Sequence, residues 1–442
     1  SMNHPEESIC RKLRFHPAVR EQTAVSGSSP QWLINRAADK IMAGEIKMAL
    51  LVGAEALYRD KRAPNSFDDD NWDVVLSYLQ NDPSIVGDTH LGSTPHENLY
   101  GADHARHVYP LFENALRGHL QMNVRDYRKL LNSYYQSMAK AAEGNPLAWF
   151  NKGKKMEENV TTPTVKNPFF NFPYTKYMNP NPMVNQAAAI IMTDTDTARK
   201  LAIPRDKWVF LHGGADAHDK WFISERVNYF SSPAIRLNVR AALNQAGLDI
   251  SDISFFDLYS CFPCAVFIAA LEIGLDINNL PPLSITGGLS YFGGPGSNYV
   301  MHSVAHAVSL LRKNPEQFGL ITGNGWYLTK HSSGIYSGIE PGNPWHRTSM
   351  KASQTNIENM SSPVFLERPQ GDVTIETYTV LHDMTKEGPV AIIVGRLASG
   401  VRCMASSGRN FDLAHRMEED DYLGCKVAVI PGDSGPNVFH AR

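Results

Sequence analysis

The chain is poor in several things a 442-residue protein could carry. It has five cysteines, an odd number and too few for a disulfide scaffold at this length, which points to a reducing compartment. No apolar run approaches the roughly 20 residues of a membrane-spanning helix. Charge of one sign is also lacking. Lys plus Arg total 42 against 45 Asp plus Glu, a formal net charge of −3, so nothing draws the whole chain to nucleic acid or an anionic membrane. No charged-then-apolar leader opens it and no retention signal closes it. The expectation is a soluble cytoplasmic protein. What is present, 43% hydrophobic and 20% charged residues, is ordinary globular composition, enough for two to four domains.

Two segments share one pattern. Pro30 opens a stretch in which Trp32, Leu33, Ala37, Ala38 and Ile41 recur at helical spacing; Gly44 ends it, and the apolar run Lys47 to Val52 stops at Gly53. Near residue 300, Gly293-Gly294-Pro295-Gly296 leads into Ser297, Val300, Val304 and Val308, then Phe318 to Thr322 runs into Gly323. Gly27 to Gly53 and Ser297 to Gly323 are each 26 positions, which suggests an internal duplication. A run apolar at nearly every residue predicts a strand buried on both faces, as in parallel sheets.

Between the copies, about Tyr58 to Met178, lies a polar insert with helical stretches (Tyr109 to Leu120, Arg125 to Lys140), of the kind that forms a lid. Strands are predicted at Gln186 to Met192, Lys207 to Leu211 and Ile253 to Leu258, and helices at Ile235 to Ala246 and Pro263 to Ile273. After a linker at Pro341 to Pro363 come the alternating Val373 to Val380 and short strands at Val390 to Leu397, Val401 to Met404 and Cys425 to Ile430. These predict a small antiparallel barrel or sandwich.

Several of these segments resemble the thiolases. Gly27 to Ala56 is similar to the nucleophile helix and following strand, and Ala187 to Met192 to another strand. Asp257-Leu258-Tyr259-Ser260-Cys261-Phe262 resembles the H-D-C-F box of the sterol-carrier-protein thiolases. Gly287-Gly288-Leu289 through Gly296 resembles the G-H-P segment, and Gly323-Asn324-Gly325 falls where C-x-G stands. From about Val19 onward the chain is closest to the thiolase-like proteins of type 1, usually labelled acetyl-CoA acetyltransferases. The resemblance implies an α/β duplicated thiolase fold, layered α-β-α-β-α, with a helical insert and a small C-terminal β domain. It divides the chain into an N-terminal half (1–57 and 183–205), an insert (58–182), a C-terminal half (206–345) and an additional barrel-like domain (346–442). Only 26 residues precede Gly27, where thiolases carry several dozen, so the first half is expected to be incomplete at its start.

By the same resemblance the chemistry has changed. The nucleophilic cysteine falls on Gly27, the G-H-P histidine on Gly294, the acid/base cysteine on Gly323, and the H-D-C-F histidine and aspartate on Tyr259 and Ser260. Acyl transfer through a cysteine thiolate is then not expected. His302 remains as a base or oxyanion donor, Tyr259 as a donor, and Cys261 at its box position. Ser28, Ser29, Gly294, Asn324 and Gly325 are candidate substrate-binding positions. CoA or acyl-CoA is the expected ligand, with Lys152, Lys154 and Lys155 as candidate phosphate contacts. Each has a plainer reading: a packed helix histidine, a core tyrosine, a turn asparagine, a solvated lysine loop. The pairs His302/His306 and His104/His107 lack a third ligand, so no metal is expected. Cys261-Phe262-Pro263-Cys264 has the spacing of a redox pair. The alternative function is a non-catalytic scaffold whose β domain packs on the core or meets a protein partner, or a homo-oligomer. Few aromatics and the acidic run Glu418 to Asp421 argue against nucleic acid there.

Overall fold

The computed structural model describes residues 5–60, 85–150, 159–385, 387–433 and 435–441. Lys152, Lys154 and Lys155 lie outside them.

Both copies of the repeat fold alike. The helix Ser29–Met42, with Pro30 in its first turn, feeds the strand Met48–Ala56, which pairs antiparallel with Asn185–Thr193. The helix Tyr299–Leu311 feeds Phe318–Gly325, which pairs antiparallel with Lys330–Ser337. In the second copy a four-residue turn joins the two strands; in the first, the insert sits in its place. The second ribbon is embedded in a four-stranded sheet. Phe255–Asp257 runs parallel to Phe318–Gly325 on one edge and Phe210–His218 antiparallel to Lys330–Ser337 on the other. The helix Pro233–Ala246 lies against that sheet and ends at Gly247 in the left-handed region (φ +69°), where glycine alone is unstrained.

The first ribbon differs from the expectation of a strand buried on both faces. Among the described residues no third strand joins it, and alternate side chains (Met48, Leu50, Val52, Ile191) are exposed. The apolar run reflects a period-two ribbon whose inner face packs on the helices Ser29–Met42 and Tyr299–Leu311.

The insert contributes the helices Ala105–His119 and Val124–Glu143. The first lies on the C-terminal β domain, where Thr377 Oγ1 donates to the Leu111 carbonyl and Asn114 Nδ2 to that of Tyr378 (2.5 and 2.8 Å). That domain is a closed five-stranded barrel in the order Gly371–Leu381, Val390–Leu397, Arg402–Ser406, Val438–Ala441, Lys426–Ile430 and back to the first. This is the Greek-key arrangement of OB-type barrels. Two features depart from the sequence reading. The contact between Arg402–Ser406 and Val438–Ala441 is parallel, and a helix, Phe411–Glu419, plugs the barrel end with Leu413, Ala414 and Met417. The parallel step follows from the helix, which carries the chain across the barrel before it returns. A larger core of Ile, Val, Leu and aromatic side chains joins the insert to both repeats.

Candidate functional site

The turn before the helix Ser29–Met42 is tied at several points. Ser26 Oγ and Ser28 Oγ are hydrogen-bonded at 2.8 Å, Ser29 Oγ donates to the Ala24 carbonyl at 2.8 Å, and the Ser26 amide donates to Ser297 Oγ of the second repeat at 3.1 Å. All three serines of residues 26–29 are buried. Their hydroxyls are engaged with one another and with backbone.

Gly27 stands against two oxygens. A Cβ there would fall inside the van der Waals radii of the Tyr259 hydroxyl and the Asn324 carbonyl. Gly325 faces Ser26 Oγ more closely still, and a Cβ on Gly323 would lie 2.9 Å from Ser28 Cα. The fold therefore brings Gly27, Ser28, Tyr259, Gly323, Asn324 and Gly325 together, from three separate stretches of sequence. Glycine is used here for close approach.

Tyr259 is held by its amide, which donates to Thr322 Oγ1 (3.0 Å), and by an edge contact with Tyr299 (5.8 Å between ring centroids). Its hydroxyl makes no hydrogen bond among the described residues; burial pushes its pKa well above the phenol value, so it stays an O–H donor. Tyr299 rests in turn on Asp257, a fully buried carboxylate that accepts from Ser284, Ser303 and the Ile285 and Thr286 amides. Asn324 Nδ2 donates to the Tyr109 hydroxyl at 2.9 Å. That hydroxyl already donates to the Trp326 carbonyl (2.8 Å) and accepts from the Leu328 amide (3.2 Å), which fixes the orientation of the Asn324 amide. Asn324 Oδ1 is consequently left buried without a partner among the described residues. The group that Asn324 leaves free is thus an acceptor, its donor side being taken by Tyr109.

His302 and Gly294 are placed apart from this group. His302 is buried, with Nε2 3.4 Å from Asn298 Nδ2 and its ring against Phe292; burial pushes its pKa down to about 4, so it is neutral at pH 7. Neutral imidazole could accept a proton, but its hydrogen-bond partner is an amide rather than Ser28. Gly294 packs on the Asn181 backbone, its amide donating to the Asn181 carbonyl at 2.8 Å. The two cysteines of the C-x-x-C are buried and free. Burial pushes Cys261 up to about 12 and Cys264 well above the usual thiol value. A redox pair needs an accessible low-pKa thiol, so the redox reading fails on burial. Among the described residues no set of three His, Cys, Asp or Glu side chains is arranged to hold a metal, and no helix is long and apolar enough to cross a membrane.

The space at the site is small. A cavity lined by Tyr259, Thr322, Gly323, Asn324 and His331 measures about 10 Å³, the size of one water. A larger groove, about 560 Å³, lies at the other end of the helix Ser29–Met42, lined by Asp39, Asp216, Trp345 and Arg347. None of the candidate residues lines it.

Sequence reasoning missed Tyr109, Thr322 and Ser297. Tyr109 carried one signal, its place in the helical lid segment, and Ser297 another, its place opposite Gly27 in the repeat; Thr322 has no local signature beyond its strand.

A duplicated helix–strand–strand core with a lid-like insert and an added β-barrel defines a thiolase-fold protein extended at its C-terminus. Residues 353–433 match the family described as "Thiolase-like protein type 1 additional C-terminal domain". The crystal structure of a monomeric SCP2-thiolase like protein type 1 from Mycobacterium smegmatis is similar over 99% of this chain and 87% of that one, at 33% identity and a TM-score of 0.84. The dimeric peroxisomal thiolase of Saccharomyces cerevisiae matches at 14% identity and a TM-score of 0.47, over 71% of this chain and 74% of that one. No curated protein matches. The chain belongs to the thiolase-like proteins of type 1.

Proposed function

We propose that this protein binds a CoA thioester in the cytoplasm without forming an acyl-enzyme. The observation that carries the reading is the Tyr259 hydroxyl, without a hydrogen-bond partner among the described residues, beside Gly27 at the amino end of the helix Ser29–Met42. An O–H donor at a helix N-terminus suits a thioester carbonyl oxygen, whose partial negative charge both would stabilise. Residue 27 has no side chain to acylate, and the adjacent serines meet no base among the described residues, so ligand recognition rather than acyl transfer is the chemistry these groups can support.

The test is calorimetric titration of the protein with CoA, acetyl-CoA and a long-chain acyl-CoA, with thiol release followed in the same samples. Binding without thiol release is expected, and Tyr259→Phe should weaken it roughly tenfold, the worth of one hydrogen bond to a polarised oxygen. Thiol release abolished by His302→Ala would replace this reading with catalysis on a rebuilt site. Absence of binding would favour the second reading, a non-catalytic scaffold, which the one-water cavity supports.

A further inference from the structure

The turn Trp326–Thr329, which follows Asn324, is held in an uncommon backbone. Trp326 and Leu328 both have left-handed φ values, +54° and +55°, unusual for bulky side chains and maintained only where surrounding contacts dictate them. The insert grips this turn from one side through the Tyr109 hydroxyl. On the other side stands Arg226, whose buried Nη2 donates to the Tyr327 carbonyl (2.8 Å), the Leu328 carbonyl (2.7 Å) and Thr329 Oγ1 (3.0 Å).

Arg226 is itself held from the barrel. Arg402, in the barrel strand Arg402–Ser406, is fully buried. Its guanidinium is bound bidentately, at 2.7 and 3.0 Å, by Glu376 of the strand Gly371–Leu381, across the intervening strand Val390–Leu397. It then reaches out of the barrel to the carbonyls of Ser224 (3.3 Å), Arg226 and Val227 (3.3 Å). Charge-assisted, multiply bonded guanidinium contacts of this kind are rigid as well as strong. We propose that Arg402 and Arg226 form a relay through which the C-terminal barrel sets the backbone of the Trp326–Thr329 turn and thereby positions Asn324. Both are positioning residues. The barrel is then a working part of the site, and what strains Glu376–Arg402 is felt at Asn324. The consequence for ligand binding rests on the thioester reading above; the relay itself does not.

The experiment is hydrogen exchange on the full chain, comparing wild type, Arg402→Met and Glu376→Gln. Arg402→Met should speed exchange of the Leu328 and Thr329 amides by about tenfold or more, with Glu376→Gln smaller in the same direction, while Val390–Leu397 keeps its protection. If Arg402→Met does not fold, Glu376→Gln carries the comparison alone. Val427→Ala, in the barrel core, is the control for plain destabilisation. Unchanged exchange in the turn, or an equal rise in Val427→Ala, overturns the relay. Titration with a long-chain acyl-CoA separates the two readings. A loosened turn in a protein that never binds the thioester leaves the relay standing and removes the thioester reading. A ligand held equally tightly by wild type and Arg402→Met removes the positioning of Asn324.

Discussion

A methyl group added to residue 27 would have to displace both the Tyr259 hydroxyl and the Asn324 carbonyl, and the second is backbone. Gly27→Ala is therefore expected to destabilise the protein by about 1–3 kcal/mol, the usual cost of overpacking, although Gly→Ala at an unstrained open position gains about 0.4–1 kcal/mol. Tyr259→Phe in the same chain should recover only part of the loss, because the carbonyl stays. Chemical denaturation checks both, and a Gly27→Ala protein as stable as wild type would show that the tyrosine does not pack there in solution. His302 makes a second prediction. Its pKa is lowered to about 4 by burial, whereas the unfolded chain titrates near 6.5. Its neutral form thus contributes stability that is present above about pH 6.5 and is lost as pH falls toward 4, by at most about 3 kcal/mol. His302→Gln should flatten that acid limb in thermal melts between pH 4 and 7; an unchanged slope would assign the acid sensitivity to other groups.

Helix starts show which signals a sequence carries. Pro263 marks the beginning of Pro263–Glu272, as Pro30 does for Ser29–Met42, and both helices were legible from proline and apolar spacing. What caps the first of them was not. Phe262 offers no capping side chain; instead Glu113, 151 residues earlier, accepts the Cys264 amide at 2.7 Å. No local pattern encodes that contact. The same division runs through the site: Gly27, Tyr259 and Asn324 stand in segments a repeat and a resemblance make visible, while Tyr109, Arg226 and Arg402 join it only by contacts between distant segments. Glu113 also accepts from the Tyr127 and Tyr174 hydroxyls, yet its complete burial pushes its pKa up to about 7. Since the unfolded value is about 4.5, its contribution is full below that pH and is lost as pH rises through about 7, up to about 3 kcal/mol. Wild type should therefore melt lower at pH 8 than at pH 5.5 by more than Glu113→Gln does. Parallel pH profiles for the two proteins would mean that the carboxyl is already ionised in the fold.

At the scale of the whole molecule the two repeats are equal in topology and unequal in cover. The second ribbon is sheathed by strands on both edges and a helix on its face, and Ile321 and Ile335 have no exposed area. The first keeps one face open, with Ile191 66% exposed and Leu50 38%, facing each other across the pair. An apolar ribbon to which no third strand pairs among the described residues invites association between copies. The expectation from sequence, a strand buried on both faces, erred because apolarity along a run does not reveal whether another layer lies over it. Placing charge on each ribbon turns this difference into a measurement. Ile191→Lys exposes its ammonium to solvent, so it should shift stability by no more than about 0.5 kcal/mol and reduce concentration-dependent light scattering. Ile335→Lys buries an unpaired ammonium in a closed core and should prevent folding or cost more than about 4 kcal/mol. Were Ile191→Lys as damaging as Ile335→Lys, the open face would have to be covered in solution, and the two halves would be alike in packing as well as in topology.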